Sequence, residues 1–402
     1  MDLLYRRHAN CTCAHSSSTA PTNWANPKHL ISHMLSQTKQ KITVIGAGVI
    51  GLSTAIHLQE KDEYDVTIVA EISPSDENPS AHYTSHWAGG HHCTAAESDD
   101  MRQRVMDERT YQVFWFMAQP GHPAEKCFIR TPQYEHYFEE LGHPRRLESM
   151  PDFKYMKKSE LIPGAVFGIT FTAISFDPAA YLDYLHKRFI EGGGKIVRGS
   201  VQHIKQVVEG GSAVFEGRPP EPPAAVVVCA GLGARTLGGV EDKTVTSVRG
   251  QTVVLHAPWV RFGATRRKIE DEMISYVIPR HNGNIVIGGT LNVDDWYPLP
   301  REETKRAILE KALALWPEIA PPDARKDRKP TVEDLYPIIV EDGVGLRPHR
   351  EDGIRIEAEW VEANGVTAPV VFNYGHGAYG FESSWGSAYM AVDLVEKVLN
   401  RR

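Results

Sequence analysis

Cysteine is scarce in this chain and shows no pairing pattern. Cys11, Cys13, Cys93, Cys127 and Cys229 are odd in number and scattered over 402 residues. A disulfide framework is excluded as the organising principle, and a reducing, intracellular compartment is expected. Cys11-Thr-Cys13 lacks the second pair that a zinc site would need. No apolar run reaches the roughly 20 residues of a membrane-spanning helix, so no membrane partner is expected. Positive charge is also short. The formal net charge is −7 with no basic stripe to offset it, which argues against a nucleic-acid partner. No internal repeat appears. What remains is 42% hydrophobic and 24% charged, the composition of a folded soluble chain long enough for two cores.

Residues 1–40 read as an extension outside the fold. Up to His33 they are rich in Ser, Thr, Asn and His, lack hydrophobic periodicity and hold one acid, Asp2. Arg6, Arg7 and Lys28 are compatible with a transit peptide. Met34, seven residues before Lys41, equally suits a start codon ahead of a first strand. On either reading the extension is dispensable to folding.

The chemistry begins at Lys41. Residues 41–60 read as a buried strand, a glycine turn and a helix, with Gly46, Gly48 and Gly51 in the G-x-G-x-x-G spacing. The first glycine allows a tight turn and the second lets backbone approach a pyrophosphate. The third lets helix and strand pack closely, and the helix N-terminus aims free N–H groups at phosphate. A second strand, Asp65–Ala70, ends at Glu71, 20 positions beyond Gly51, where an acid holds ribose hydroxyls. The alternative is a plain βαβ unit with small residues at its turn.

Further along, a Pro-containing surface loop spans 73–80, and small residues cluster at Ser85-His-Trp-Ala-Gly-Gly90. Helices are expected over about Asp100–Met117 and Pro178–Glu191, with mixed strands and loops between Pro120 and Pro178. Lys195–Arg198 and the apolar run Ala224–Ala230 read as strands of the first sheet. Thr252–His256, Tyr276–Pro279 and Asn284–Ile287 suit an antiparallel sheet, the last two joined through His281-Asn-Gly283. The expected fold is α/β plus α+β: a Rossmann-like dinucleotide domain from residues 41–98, 190–245 and 336–402. Interwoven with it is a substrate domain from 99–189 and 246–335, built on a mixed or antiparallel sheet.

Several blocks together resemble the flavin-dependent D-amino-acid oxidase family, which includes D-aspartate oxidases. They are the glycine turn; Val226–Ala234 with Arg249-Gly-Gln251; Tyr276–Arg280 with Gly288-Gly-Thr290; Val344–Pro348; and Asn373–Gly386. The resemblance implies FAD, with Gly46, Ala47, Gly48, Val49, Ile50, Gly51 and Glu71 on its pyrophosphate and ribose. Ser85, Ala88, Gly89 and Gly90 would meet the isoalloxazine, Val201 the adenine, and Gly231, Arg347, Gly377, Ala378, Tyr379, Gly380, Phe381 and Glu382 would complete the cofactor contacts. The helix from about Ser383 would aim its positive end at the flavin. Arg347 matches the arginine that grips the substrate carboxylate, a task suited to a guanidinium fork, and Tyr276 the tyrosine that supplements it. Leu291, Ala378 and His92 would border the substrate.

The implied reaction is hydride transfer from a D-amino acid to flavin N5, with O2 as acceptor, giving a 2-oxo acid, ammonia and hydrogen peroxide. Leu291 stands where D-aspartate oxidases place an arginine. A substrate carboxylate beside leucine would lack a partner, so neutral D-amino acids are expected. Acidic substrates remain open through Arg266, Arg267, Lys268, His91 or His92, and an inactive flavin-binding scaffold is the remote alternative. The acidic run Glu270-Asp-Glu272 could favour cationic side chains or be a solvated loop. Glu382 either points away from the flavin or keeps its proton. Adjacent His91 and His92 on an extended segment point to opposite sides, so no metal is expected. The sequence ends Leu399-Asn-Arg-Arg402 rather than in the Ser-Lys-Leu peroxisomal address common in the family, which leaves cytosol or another organelle open. A homodimer is compatible with the resemblance.

Overall fold

A computed structural model describes residues 39–77, 79–92, 100–139, 147–268 and 273–400. Cys11, Cys13, Met34, Cys93 and the run 270–272 lie outside the described residues, as does nearly all of the 1–40 extension. The strand Gln40–Ile45 pairs in parallel with Tyr64–Ala70 on one side and Ala225–Val228 on the other. About 150 residues separate these partners in the chain, and apolar side chains on both faces bring them together. Lys195–Arg198 extends the sheet beyond Tyr64–Ala70, and Val366–Tyr374 extends it beyond Ala225–Val228. A hairpin through Asn364-Gly365, both at positive φ, adds the antiparallel edge strand Arg355–Ala363. Six strands result.

Alternation sends Val44, Val227 and Val371 to one face, where the helices Val49–Gln59, Pro178–Glu191 and Ser384–Leu399 cover them. Ile45, Val226, Val228 and Phe372 face the other way, against Ile204, Val207 and Val208 of a short helix. Helix Pro178–Glu191 starts where the sequence places it. Asp177 caps it by accepting from the Ala179 and Ala180 N–H groups, and Pro178 occupies the first turn.

The second sheet has ten strands. Asn284–Thr290 runs antiparallel to Val245–His256 on one side and to Met273–Pro279 on the other. Gly263–Arg267 then joins them to Phe128–Tyr137 and Phe167–Phe176, which pair along their full lengths. Its outer face buries Val253, Leu255, Val277 and Ile287 under Ile308, Leu309 and Ala312 of helix Glu302–Leu315. Two segments assigned from sequence to the dinucleotide domain hydrogen bond into this sheet instead. Ile339–Arg350 pairs with Val245–His256 along its course, and His91–His92 pairs with Ser175 and Ile174. Backbone pairing decides this, and neither segment has an alternating pattern that would announce it.

Candidate active site

A cavity of about 920 Å³ lies among the glycine turn, the inner face of the ten-stranded sheet and the loop ahead of the last helix. At the glycine turn Gly46 has φ +104° and no room for a side chain: a Cβ would lie 2.5 Å from the Cys229 carbonyl oxygen. A Cβ on Gly51 would lie 1.9 Å from the Gly46 carbonyl oxygen. Gly51 therefore works as the sequence suggests, by close helix–turn packing, although it does not itself line the cavity. Gly48 faces the cavity, where a Cβ would meet Ser85 Oγ at 3.0 Å. The Ser85 hydroxyl accepts from the Val49 N–H at 3.1 Å, and Tyr83 O–H donates to the Ala47 carbonyl at 2.7 Å. Glu71 lines the same cavity at the end of Tyr64–Ala70. A turn that admits no Cβ, a helix N-terminus and an acid at the next strand end fit a dinucleotide with its pyrophosphate on Gly46–Gly51.

Arg347 reaches the cavity from Ile339–Arg350, opposite Val248. Its guanidinium lies against Gly250, where a Cβ would come within 2.5 Å of both terminal nitrogens. Its Nη1 donates to the carbonyls of Thr290 at 3.1 Å and Val248 at 3.4 Å. Among the described residues no carboxylate pairs with it. Burial pulls its pKa down, with Tyr276 partly opposing. A desolvated cation held only by carbonyls is a site for an anion. Tyr276 lines the same cavity, and its hydroxyl rests on Gly288 and Gly289, whose Cβ positions would approach it to 2.5 and 2.9 Å. Burial raises that phenol's pKa, so it stays a neutral donor.

The other expected residues divide. Ala47, Val49, Ile50, Ala88, Gly89, Gly90 and Gly231 line the cavity, as do Leu291, Gly377, Ala378, Gly380, Phe381 and Glu382. Val201 and Tyr379 do not: Val201 packs in the core beside the six-stranded sheet, and Tyr379 is 42% exposed. His92 is corrected too. Its ring is fully buried against Tyr111 and Phe114, and Nε2–H donates to the Glu382 carbonyl at 3.1 Å. His91 lines the cavity in its place, and burial pushes its pKa down to about 4. The pairing of His91 with Ser175 sets which ring faces inward, a parity the sequence does not carry.

Two of the proposed substitute cations are engaged outside the cavity. Arg267 Nε donates to the buried Glu135 at 2.7 Å, and Arg266 lies over the Phe138 ring at 4.3 Å. Sequence reasoning missed Trp87, Ile274, Trp296 and His376, which also line the cavity. Of these, Trp87 and His376 had a signal, as members of the Ser85–Gly90 run and of the Asn373–Gly386 block. Among the described residues no cluster of His, Cys, Asp and Glu could hold a metal, and no helix is long and apolar enough to cross a membrane.

The chain is 35% identical to a D-aspartate oxidase of Cryptococcus neoformans var. grubii, over 89% of this chain and 97% of that protein. It is 31% identical to a D-amino-acid oxidase of Schizosaccharomyces pombe, over 88% and 95%. In fold it resembles the glycine oxidase of Geobacillus kaustophilus, with a TM-score of 0.68 at 17% identity over 89% and 95% of the two chains. The family model described as FAD dependent oxidoreductase matches residues 41–394. With the glycine cradle, the strand-end acid and the unpaired guanidinium in one cavity, these likenesses establish that the chain belongs to the family of FAD dependent oxidoreductases.

Proposed function

We propose that this protein oxidatively deaminates D-amino acids with neutral side chains, consuming O2 and water and releasing a 2-oxo acid, ammonia and hydrogen peroxide. The observation that carries the reading is Arg347. A half-buried guanidinium with no carboxylate partner among the described residues shares its cavity with Tyr276 and the dinucleotide cradle. FAD held on Gly46–Gly51 and Glu71 would supply the two-electron redox chemistry, with O2 as the final acceptor. Arg347 would grip the α-carboxylate with two parallel N–H donors, and the Tyr276 hydroxyl would donate a further hydrogen bond. The grip would fix the orientation of the substrate in the cavity, so positioning would supply most of the catalysis. No side chain is required as a general base if the amine binds neutral.

The neutral preference is supported by the wall. Leu291 lines the cavity, Arg267 is paired to Glu135, and burial keeps His91 uncharged near neutrality. The D-aspartate oxidase among the relatives favours a second reading, an oxidase of acidic D-amino acids. Anaerobic bleaching of the bound flavin by D-alanine, L-alanine and D-aspartate in turn separates the readings. Bleaching by D-alanine alone is the expected result. Bleaching by D-aspartate alone would establish the second, and no bleaching by any of them would sink both.

A further inference from the structure

Arg249 is fully buried in the strand Val245–His256, yet no carboxylate pairs with it among the described residues. Its donors go to backbone far along the chain. Nε–H donates to the Tyr297 carbonyl at 2.8 Å, and Nη2–H to the Leu299 carbonyl at 2.7 Å and to Gln251 Oε1 at 3.0 Å. Gln251, also buried, donates through Nε2 to the Arg301 carbonyl at 2.8 Å and accepts from the Arg301 N–H at 3.0 Å. Two buried side chains thus hold one exposed segment by its backbone. That segment turns Val293 and Leu299 to solvent, 69% and 58% exposed, so no apolar core anchors those positions. Burying a guanidinium against carbonyls is a poor way to gain stability, since a well-packed apolar residue would serve as well or better.

The segment matters because of what it carries. Leu291 and Trp296 lie on it and line the cavity. Thr290 precedes it and joins the two arginines. Its carbonyl accepts from Arg347 at 3.1 Å, and its hydroxyl donates to the Arg249 carbonyl at 3.3 Å and accepts from the Gln251 N–H at 3.0 Å. We propose that Arg249, with Gln251, is a positioning residue that pegs segment 291–301 against the sheet, so that Leu291 and Trp296 form the cavity wall and Thr290 holds Arg347 in its plane. The catalytic part of this inference rests on the D-amino-acid oxidase reading; the peg itself does not.

The test compares wild-type holoenzyme with Arg249→Lys and Arg249→Met. Hydrogen exchange across residues 291–301 and steady-state kinetics with D-alanine are both measured. A lysine offers its donors from a single nitrogen and cannot reproduce the spaced planar fork of a guanidinium. For Arg249→Met the expected result is exchange at least tenfold faster in that segment and KM raised about tenfold. FAD should stay bound, with kcat within about twofold, and Arg249→Lys should recover part of the KM. Wild-type KM and exchange in Arg249→Met would overturn the proposal, as would equal losses in kcat, KM and FAD binding in both variants. If Arg249→Met does not fold, Asp295→Ala loosens the same segment by removing the Arg301–Asp295 pair. Faster exchange with a KM raised about threefold supports the peg, and faster exchange with unchanged KM refutes it. A wild type that leaves D-alanine untouched would retire the functional reading, and the exchange arm would then judge the peg alone.

Discussion

Arg347 and Arg249 sit on neighbouring strands and serve different ends, the first half-buried and facing a cavity, the second fully buried and facing backbone. Replacing Arg347 by alanine should cost about 2–4 kcal/mol of substrate binding, the worth of a charge-assisted pair. The variant should keep its yellow colour, because the dinucleotide cradle is untouched. A wild-type KM in that variant would end the carboxylate-clamp assignment. Asp107 offers a pH test. Burial raises its carboxyl pKa to about 7, while a hydrogen bond from Gln103 at 2.6 Å opposes the rise. The folded state therefore binds a proton that the unfolded chain releases near pH 4, on the order of the carboxylate reference value. Stability from this group is complete below that pH, falls as pH rises through about 7 and is flat above. Asp107→Asn should flatten the melting-temperature profile across that window, and an unchanged slope would assign it to other groups. At this scale the sequence brings out residues that meet in the cavity but not which way a ring faces. Arg347 and Tyr276 are named by their motifs, whereas the choice between His91 and His92 hangs on pairing with Ser175.

The helix Val49–Gln59 shows what an element owes to one missing atom. Gly51→Ala would press a Cβ to 1.9 Å from the Gly46 carbonyl, so the turn must open. A folded but colourless protein is the expected product, read from the visible spectrum, and a fully yellow variant would mean the turn is not the pyrophosphate site. Elements whose ends carry their own signals are legible from sequence. Asp177 and Pro178 fix the start of Pro178–Glu191, and the polar turn His281-Asn-Gly283 fixes the hairpin after Met273–Pro279. Ile339–Arg350 is not legible in this way. Its Glu341-Asp-Gly343 and His349-Arg350 break any apolar alternation, and its place in the ten-stranded sheet comes from backbone pairing with Val245–His256. The wall segment 291–301 is equally opaque, because its anchors, Arg249 and Gln251, lie about 50 residues upstream.

Across the whole molecule the cavity is bounded by both sheets, so a ligand filling it touches both. FAD should accordingly raise the melting temperature of the whole described body in one transition. Mass action sets the gain at about 2.7 kcal/mol when free FAD is 100 times its Kd. Apoprotein titrated with FAD and followed by calorimetry checks this, and a second transition insensitive to FAD would show that one sheet is stable without it. The division of labour between the sheets was half legible: the glycine turn announces the cofactor side, but nothing local announces that Arg347 hangs from the other sheet. That arrangement has a consequence for the protein's capacity to change. Arg347 and the wall residues Ile274 and Leu291 belong to the ten-stranded sheet or the segment leaving it, whereas Gly46–Gly51 and Glu71 follow directly on strands of the six-stranded one. Variation at positions 274 and 291 can therefore explore new side-chain preferences while the redox machinery is inherited intact, and a selection library confined to those positions should yield altered specificities far more often than colourless protein.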